Sequence, residues 1–207
     1  MTRMIGRRTS MAMAGAAIAL PVMGRADTAL PDKPLKILVG FPAGGGTDVT
    51  ARLVAQKMSV SMGMNVIVEN KAGSGGNVGT DAIAKSAPDG YTIGLYTVAS
   101  QAIAPTLYGK LPFDVNKDFT AVAMLWSVPN MLMVRLELPV KTIPDLIDLA
   151  RKNPGKYTFA SSGSGTTPHL TGERLLKLMA RLDIEHVPYS SAMPAVLGNS
   201  THSTAST

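Results

Sequence analysis

The stretch LKILVGFPAGGGTD, residues 35–48, decides the fold. Leu35 to Gly40 is a run of branched apolar residues, short enough and continuous enough for a buried strand. Phe41-Pro-Ala-Gly-Gly-Gly-Thr-Asp48 then turns the chain, and Thr47 to Met62 follows with helical spacing. On that helix Val54, Met58 and Met62 share a face, Thr47 or Asp48 can cap the start, and Gly63 supplies the stop. A strand, a glycine-rich loop and a helix in that order are half of a βαβ unit, so a parallel sheet is expected.

Reading outward, the pattern repeats. Val66 to Glu69 is a short strand, Asn77 to Lys85 a short helix, and Pro88-Asp89-Gly90 a turn before the strand Tyr91 to Tyr96. From Thr120 the texture changes, with apolar runs at Ala121 to Leu125 and Met131 to Val134 separated by Pro129-Asn130. Alternation then resumes. Thr142 caps a helix through Lys152, Tyr157 to Ala160 is a strand, Thr171 to Arg181 a helix and Ile184 to Val187 another strand. A lobe boundary falls near residues 122–128. The reading gives four segments: a signal peptide over 1–26, a first lobe over 27–123, part of a second over 124–195, and a low-complexity tail over 196–207. The last ten residues, GNSTHSTAST, carry no core-forming pattern.

The beginning of the chain reads as an export signal. Arg3, Arg7 and Arg8 precede an apolar stretch from Met11 to Met23, and Gly24-Arg25-Ala26 fits a cleavage site, so the mature chain is expected to begin at Asp27. The stretch holds about 13 residues where a bilayer span needs roughly 20. The formal charge of +6 owes much to this segment: without Arg3, Arg7, Arg8 and Arg25, the 20 basic residues become 16 against 14 acidic ones. No basic run with interleaved aromatics remains, so nucleic acid is not an expected partner. Cysteine is absent, and His169, His186 and His202 lack ligand spacing, so neither a disulfide framework nor a metal site is expected.

Three glycine-rich loops each leave an apolar run and enter a helix: Phe41 to Asp48, Lys71 to Gly79 (KAGSGGNVG), and Ser161 to His169 (SSGSGTTPH). Glycine lets backbone approach a ligand closely, and a helix start offers free N–H groups at the positive end of its dipole. Each loop is therefore a candidate anion cradle, and parallel strands gather such loops at one edge of the sheet. Catalytic patterns do not fit. Gly44 and Gly46 are followed by Val49 where a dinucleotide fingerprint needs glycine, no Gly-Lys-Ser/Thr follows Gly40, and no G-x-S-x-G elbow occurs. Ser161, Ser162 and Ser164 could be nucleophiles only with a base; His169 lies on the same loop, but no third orienting group can be argued. No enzyme activity and no cofactor are expected.

These segments, with PLKILVGFPAGGGTDVTAR, VIVENKAGSGGNVGTDAIAK, PDGYTIG, LPFDVNKDFTAVA, FASSGSGTTPHLTGERL and HVPY, resemble the Bug/TctC family of substrate-binding receptors of tripartite tricarboxylate transporters. The likeness runs over roughly residues 31–189. It implies an α/β, two-lobed, type II periplasmic binding fold with parallel-type sheets, holding a small carboxylate such as a dicarboxylate, amino acid or aromatic acid. It also implies membrane permease subunits as partners and a periplasmic location. Carried over residue by residue, it points to Phe41, Ala43, Gly44, Gly45 and Asp48, with Gly76, Asn77 and Ser100 beside them. From the other lobe it points to Ser161, Ser164, Thr166, Thr167 and His169; Asp48 reads equally as a helix cap. Ser190-Ser191 stand where the family has a basic residue and glycine, and after Ala195 the likeness ends, so the second lobe is expected to be incomplete with open strand edges. A sensor-kinase partner and a fragment without function stay as alternatives to transport.

Overall fold

A computed structural model describes residues 33–201, with side chains through residue 198. The export segment, the cleavage after Ala26 and His202 lie outside the described residues. What is described forms one compact unit.

Strand β1 (Leu35–Val39) is the centre of a three-stranded parallel sheet, flanked by β2 (Val66–Asn70) and β3 (Thr92–Leu95) in the order β2-β1-β3. Leu35 pairs with Val66, and Lys36 with both Ile67 and Thr92. A central parallel strand is covered on both faces, which is why Leu35, Ile37, Leu38 and Val39 are all buried. A second sheet pairs β4 (Thr158–Ser161) with β5 (Glu185–Pro188), again in parallel, with Phe159 opposite His186 and Ser161 opposite Pro188.

Helix α1 runs Gly46–Met62 and stops at Gly63, whose left-handed φ of 63° only glycine adopts cheaply. Two expectations are corrected here. The capping position is Gly45, with no side-chain cap, so neither Thr47 nor Asp48 takes it. The buried face runs through Asp48, Ala51 and Ala55, while Val54 and Met58 pack only at its margin and Met62 is exposed. Small alanines let the helix axis approach the sheet, where the bulkier residues fill the flanks. This first core joins Leu35, Ile37, Val39, Ala51, Ala55 and Val66.

Helix α2 spans Asn77–Ala84. After β3 come a π-type turn, Ala99–Ile103, and the short α3, Ala104–Leu107, neither of which the periodicity announces. Helix α4 (Ile143–Arg151) is capped as expected: Thr142 Oγ1 accepts the Asp145 N–H at 3.3 Å, and Asp145 Oδ2 accepts the Thr142 N–H at 2.9 Å. The single helix expected over Thr171 to Arg181 is instead α5 (Thr167–Gly172) continued by a π-type segment, Glu173–Met179. It ends where Arg181 takes a left-handed φ of 52° and the Leu182 N–H reaches back to the Leu176 carbonyl. A second core of Ala150, Leu176, Ala180, Leu182 and Ile184 lies between α4, the π-type segment and the second sheet.

Two further differences from the sequence reading stand out. Helix α6 (Ala192–Thr201) runs into the stretch read as a low-complexity tail, anchored by the buried Ala195. The apolar runs at 121–125 and 131–134 take no regular secondary structure, and no strand among the described residues pairs with them. Met124 is 86% exposed and Leu136 fully so. No helix among the described residues is long and apolar enough to cross a membrane.

Candidate functional site

The three glycine-rich loops leave β1, β2 and β4 at the same kind of edge, the C-terminal one, because all the strands are parallel. The first two are fused backbone to backbone. A methyl group added at Gly40 would stand 2.7 Å from the Gly76 carbonyl oxygen, and one at Gly79 only 2.5 Å from Gly40 Cα. Nothing larger than glycine fits that crossing. Gly76, at φ 101°, lies against the Phe41 ring and near Ser100.

The third loop meets the second, and the turn after β5 approaches the first. A methyl at Gly75 would stand 3.0 Å from the Ser164 carbonyl oxygen, and one at Gly45 would stand 3.7 Å from Ser191 Cβ. Tyr108, from the end of α3, donates to the Ser164 carbonyl at 3.3 Å. The structure thus brings Phe41, Gly45, Gly76, Ser100 and Ser164 into one neighbourhood, with Ala43 and Gly44 exposed at its rim and Asn77 half-buried.

Asp48 faces inward. It is 2% exposed, and its Oδ2 accepts the Gly44 N–H at 2.8 Å and Arg52 Nε at 2.9 Å. Its Oδ1 accepts Asn70 Nδ2 at 2.9 Å, and the same amide nitrogen donates to the Phe41 carbonyl at 3.0 Å. The Arg52 hydrogen bond outweighs the cost of burial, and with Gly44 and Asn70 it holds the carboxyl at about 2, below the usual carboxylate range. Asp48 therefore holds the loop from behind, a role that a helix cap does not describe. Both of its oxygens are occupied by the protein.

On the third loop most candidate side chains are likewise engaged within the fold. Ser161 Oγ lies 2.7 Å from His186 Nε2 and 3.2 Å from the Gly163 N–H that it accepts. Thr166 Oγ1 donates to the Gly163 carbonyl at 2.7 Å, and Thr167 Oγ1 donates to Asn130 Oδ1 at 3.3 Å. His169 Nδ1 accepts the Gly165 N–H at 3.2 Å. Ser164 is exposed. His186, Asn70, Arg52, Tyr108 and Ser191 escaped the residue reading because each acts across more than one element. A buried serine beside a strand histidine leaves no short motif.

What remains for a ligand is backbone. Gly45, Gly76 and Thr166 open α1, α2 and α5, and none of them caps its helix with a side chain. Helix α4, which starts away from the loops, has a complete capping box. First-turn N–H groups normally need a partner. The starts of α1, α2 and α5 thus lack the side-chain caps that α4 has, which leaves backbone N–H groups of the kind that can hold an anion. A depression of about 550 Å³ lies elsewhere, around Pro105, Lys110, Phe113 and Asp114, and touches none of the loops. Among the described residues no cluster of metal-ligating side chains occurs.

Parallel α/β sheets presenting such loops at their C-terminal edges define a binding protein of the periplasmic type. The chain belongs to the TctC, or Bug, family: residues 50–207 match the tripartite tricarboxylate transporter family receptor. It is 39% identical over 196 residues to the UPF0065 protein of the tcbD-tcbE intergenic region of Pseudomonas sp. strain P51, covering 93% of this chain and 57% of that one. Among solved structures it is similar to an R. palustris protein with adipate, at TM-score 0.79 and 34% identity, over 84% of this chain and 57% of the other. It is also similar to MatC from Rhodopseudomonas palustris with bound malate, at TM-score 0.73 and 30% identity, over 81% and 57%. The chain thus spans a little over half the length of the relatives it matches. Family and neighbours are solute-binding proteins rather than enzymes.

Proposed function

We propose that the chain is a periplasmic receptor that captures a small carboxylate, processed after Ala26 and serving the membrane permease of a tripartite tricarboxylate transporter. The observation that carries the reading is the set of three helix starts without side-chain caps, each entered from a glycine-rich loop. A carboxylate is small, planar and charged, so it can take several backbone N–H groups at once. The scarcity of free cations in the loops suits it better than a phosphate. Two relatives bound to dicarboxylates, adipate and malate, point to the same class.

Gly45→Asp tests this directly. Gly45 already has extended backbone angles (φ −75°, ψ 164°), and an added Cβ would meet nothing closer than the Pro42 carbonyl oxygen at 3.4 Å. An aspartate there can cap α1 itself, adding a few tenths of a kcal/mol to stability. It would also occupy the N–H groups intended for ligand. The expected result in calorimetric titration with succinate, malate and adipate is binding by the parent chain and a loss of about a hundredfold in the variant, since a hydrogen bond to a charged group is worth roughly 1.5–3 kcal/mol. Unchanged affinity in a variant of unchanged or higher melting temperature would show that the loop is only a turn.

A further inference from the structure

His186 stands outside the residues that the resemblance nominates, yet it sits under the third loop. Parallel pairing places it opposite Phe159, two residue-pairs from Ser161 along the sheet. Its ring is sandwiched between Phe159, 4.9 Å away centroid to centroid, and His169, 4.1 Å away. Through Nε2 it reaches Ser161 Oγ at 2.7 Å, at the start of the loop. His169, its stacking partner, accepts the Gly165 N–H through Nδ1 at 3.2 Å, near the loop's end. Two stacked imidazoles therefore hold the two ends of one five-residue segment, and between them Gly163 and Gly165 take left-handed φ values of 124° and 78°.

We propose that His186 and His169 act together as a proton-sensitive clasp that positions the Ser161–Gly165 loop. Neither needs to touch the ligand in this role. The His169 bond requires an unprotonated Nδ1, because Gly165 can only donate. Protonation there sets a donor against a donor and opens the clasp. A proton on each ring would put two like charges 4.1 Å apart between centroids, which disfavours the doubly charged pair. The other charged groups facing the pair are on the π-type segment: Glu173, whose Oε1 is 3.8 Å from His169 Nε2, and Lys177, which holds that same oxygen at 2.8 Å. Lys177 thus neutralises much of the carboxylate that would otherwise favour an imidazolium. Burial first, and the His169 charge second, push His186 below the usual imidazole value. The folded state accordingly favours the neutral ring, and its stability falls as pH drops below about 6.5.

A consequence for ligand capture rests on the carboxylate reading above: affinity should fall with acidification because the loop loses its geometry. Two measurements separate the claims. In a nitrogen-15 NMR titration of the unmodified chain from pH 7.5 to 5.0, the Gly163 and Gly165 amide signals should move with the same midpoints as the two imidazoles. In His169→Gln the His186 midpoint should rise, because its like-charged neighbour is gone. Glycine amides that stay fixed while both imidazoles titrate would overturn the clasp, as would a His186 midpoint unmoved by His169→Gln. Succinate titration calorimetry, run in parallel, compares the chain with His186→Gln, whose side-chain amide can still donate to Ser161 but does not titrate. The ligand's own protonation is common to both, and His169 is present in both, so the ratio of affinities isolates His186. That ratio should shift about tenfold between pH 7.5 and 5.0, and a constant ratio would remove His186 from the proton response of binding and overturn the two-histidine clasp's functional role. Failure of succinate, malate and adipate to bind at any pH, with amides still tracking the imidazoles, would sink the carboxylate reading and leave the clasp standing.

Discussion

The first and third loops face the same site but are held by different chemistry. Loop one rests on a carboxylate that grips three donors, Gly44 N–H, Arg52 and Asn70, and stays ionised at any ordinary pH. Loop three rests on two imidazoles whose bonds depend on where a proton sits. One side of the site is therefore fixed and the other adjustable. An anion site assembled this way keeps one rigid wall whatever the medium does to the opposite one.

The strongest way to break the contrast is Asp48→Ala. It removes the acceptor of the Gly44 N–H, of Arg52 and of one Asn70 bond, and should lower unfolding free energy by about 2–3 kcal/mol in urea titration, since hydrogen bonds to a buried carboxylate are lost while the half-exposed Arg52 can turn to water. A loss below about 1 kcal/mol would mean that loop one needs no such support.

A matched pair of glycines sharpens the comparison. Gly44 and Gly165 have nearly the same φ, 79° and 78°, but a methyl at Gly44 meets nothing within 4 Å. At Gly165 it meets Leu107 Cδ2 at 2.9 Å and Tyr108 Oη at 3.1 Å. Gly44→Ala should cost about 1 kcal/mol for backbone conformation alone, and Gly165→Ala about 2 kcal/mol because the Leu107 and Tyr108 side chains must also shift. Equal costs in thermal melts would mean that loop three does not press on α3.

The smallest effect is the most selective. Asp48 is lowered, so its contribution is fully present above the ordinary carboxylate value of 3.8 and is lost only as pH falls toward 2. His186 is also lowered, but as a base, so its contribution is lost first as pH falls below 6.5. Between pH 7 and 5, hydrogen exchange at Gly163 and Gly165 should therefore accelerate severalfold, after correction for intrinsic rates, while Gly44 stays protected. Acceleration at both loops would erase the distinction.

The strand–loop–helix rhythm was legible because parallel strands here are continuous apolar runs and the turns are rich in glycine. Strand positions came out within one or two residues, and the Thr142 cap was readable from its own side chain. The loops themselves were visible as candidate cradles for the same reason. What stayed hidden depended on distance along the chain. Asp48 finds Asn70 across 22 residues, and Ser161 finds His186 across 25, with no local pattern announcing either. The π-type turn at 99–103 lacks helical periodicity of its own. Residues 121–134 read as apolar runs next to a lobe boundary, and among the described residues they are largely exposed and pair with no strand.

That uncovered strip carries three thioethers in the open, at Met124, Met131 and Met133. Thioethers oxidise to sulfoxides, which are polar and hydrogen-bonding where the parent side chain is greasy. In a buried core that change is damage. Here it would act on a face that already meets water, turning three sticky contacts into wettable ones. Peroxide would thus reach this surface before it reached either core, and would make the chain less prone to self-association, with the glycine loops and both sheets untouched.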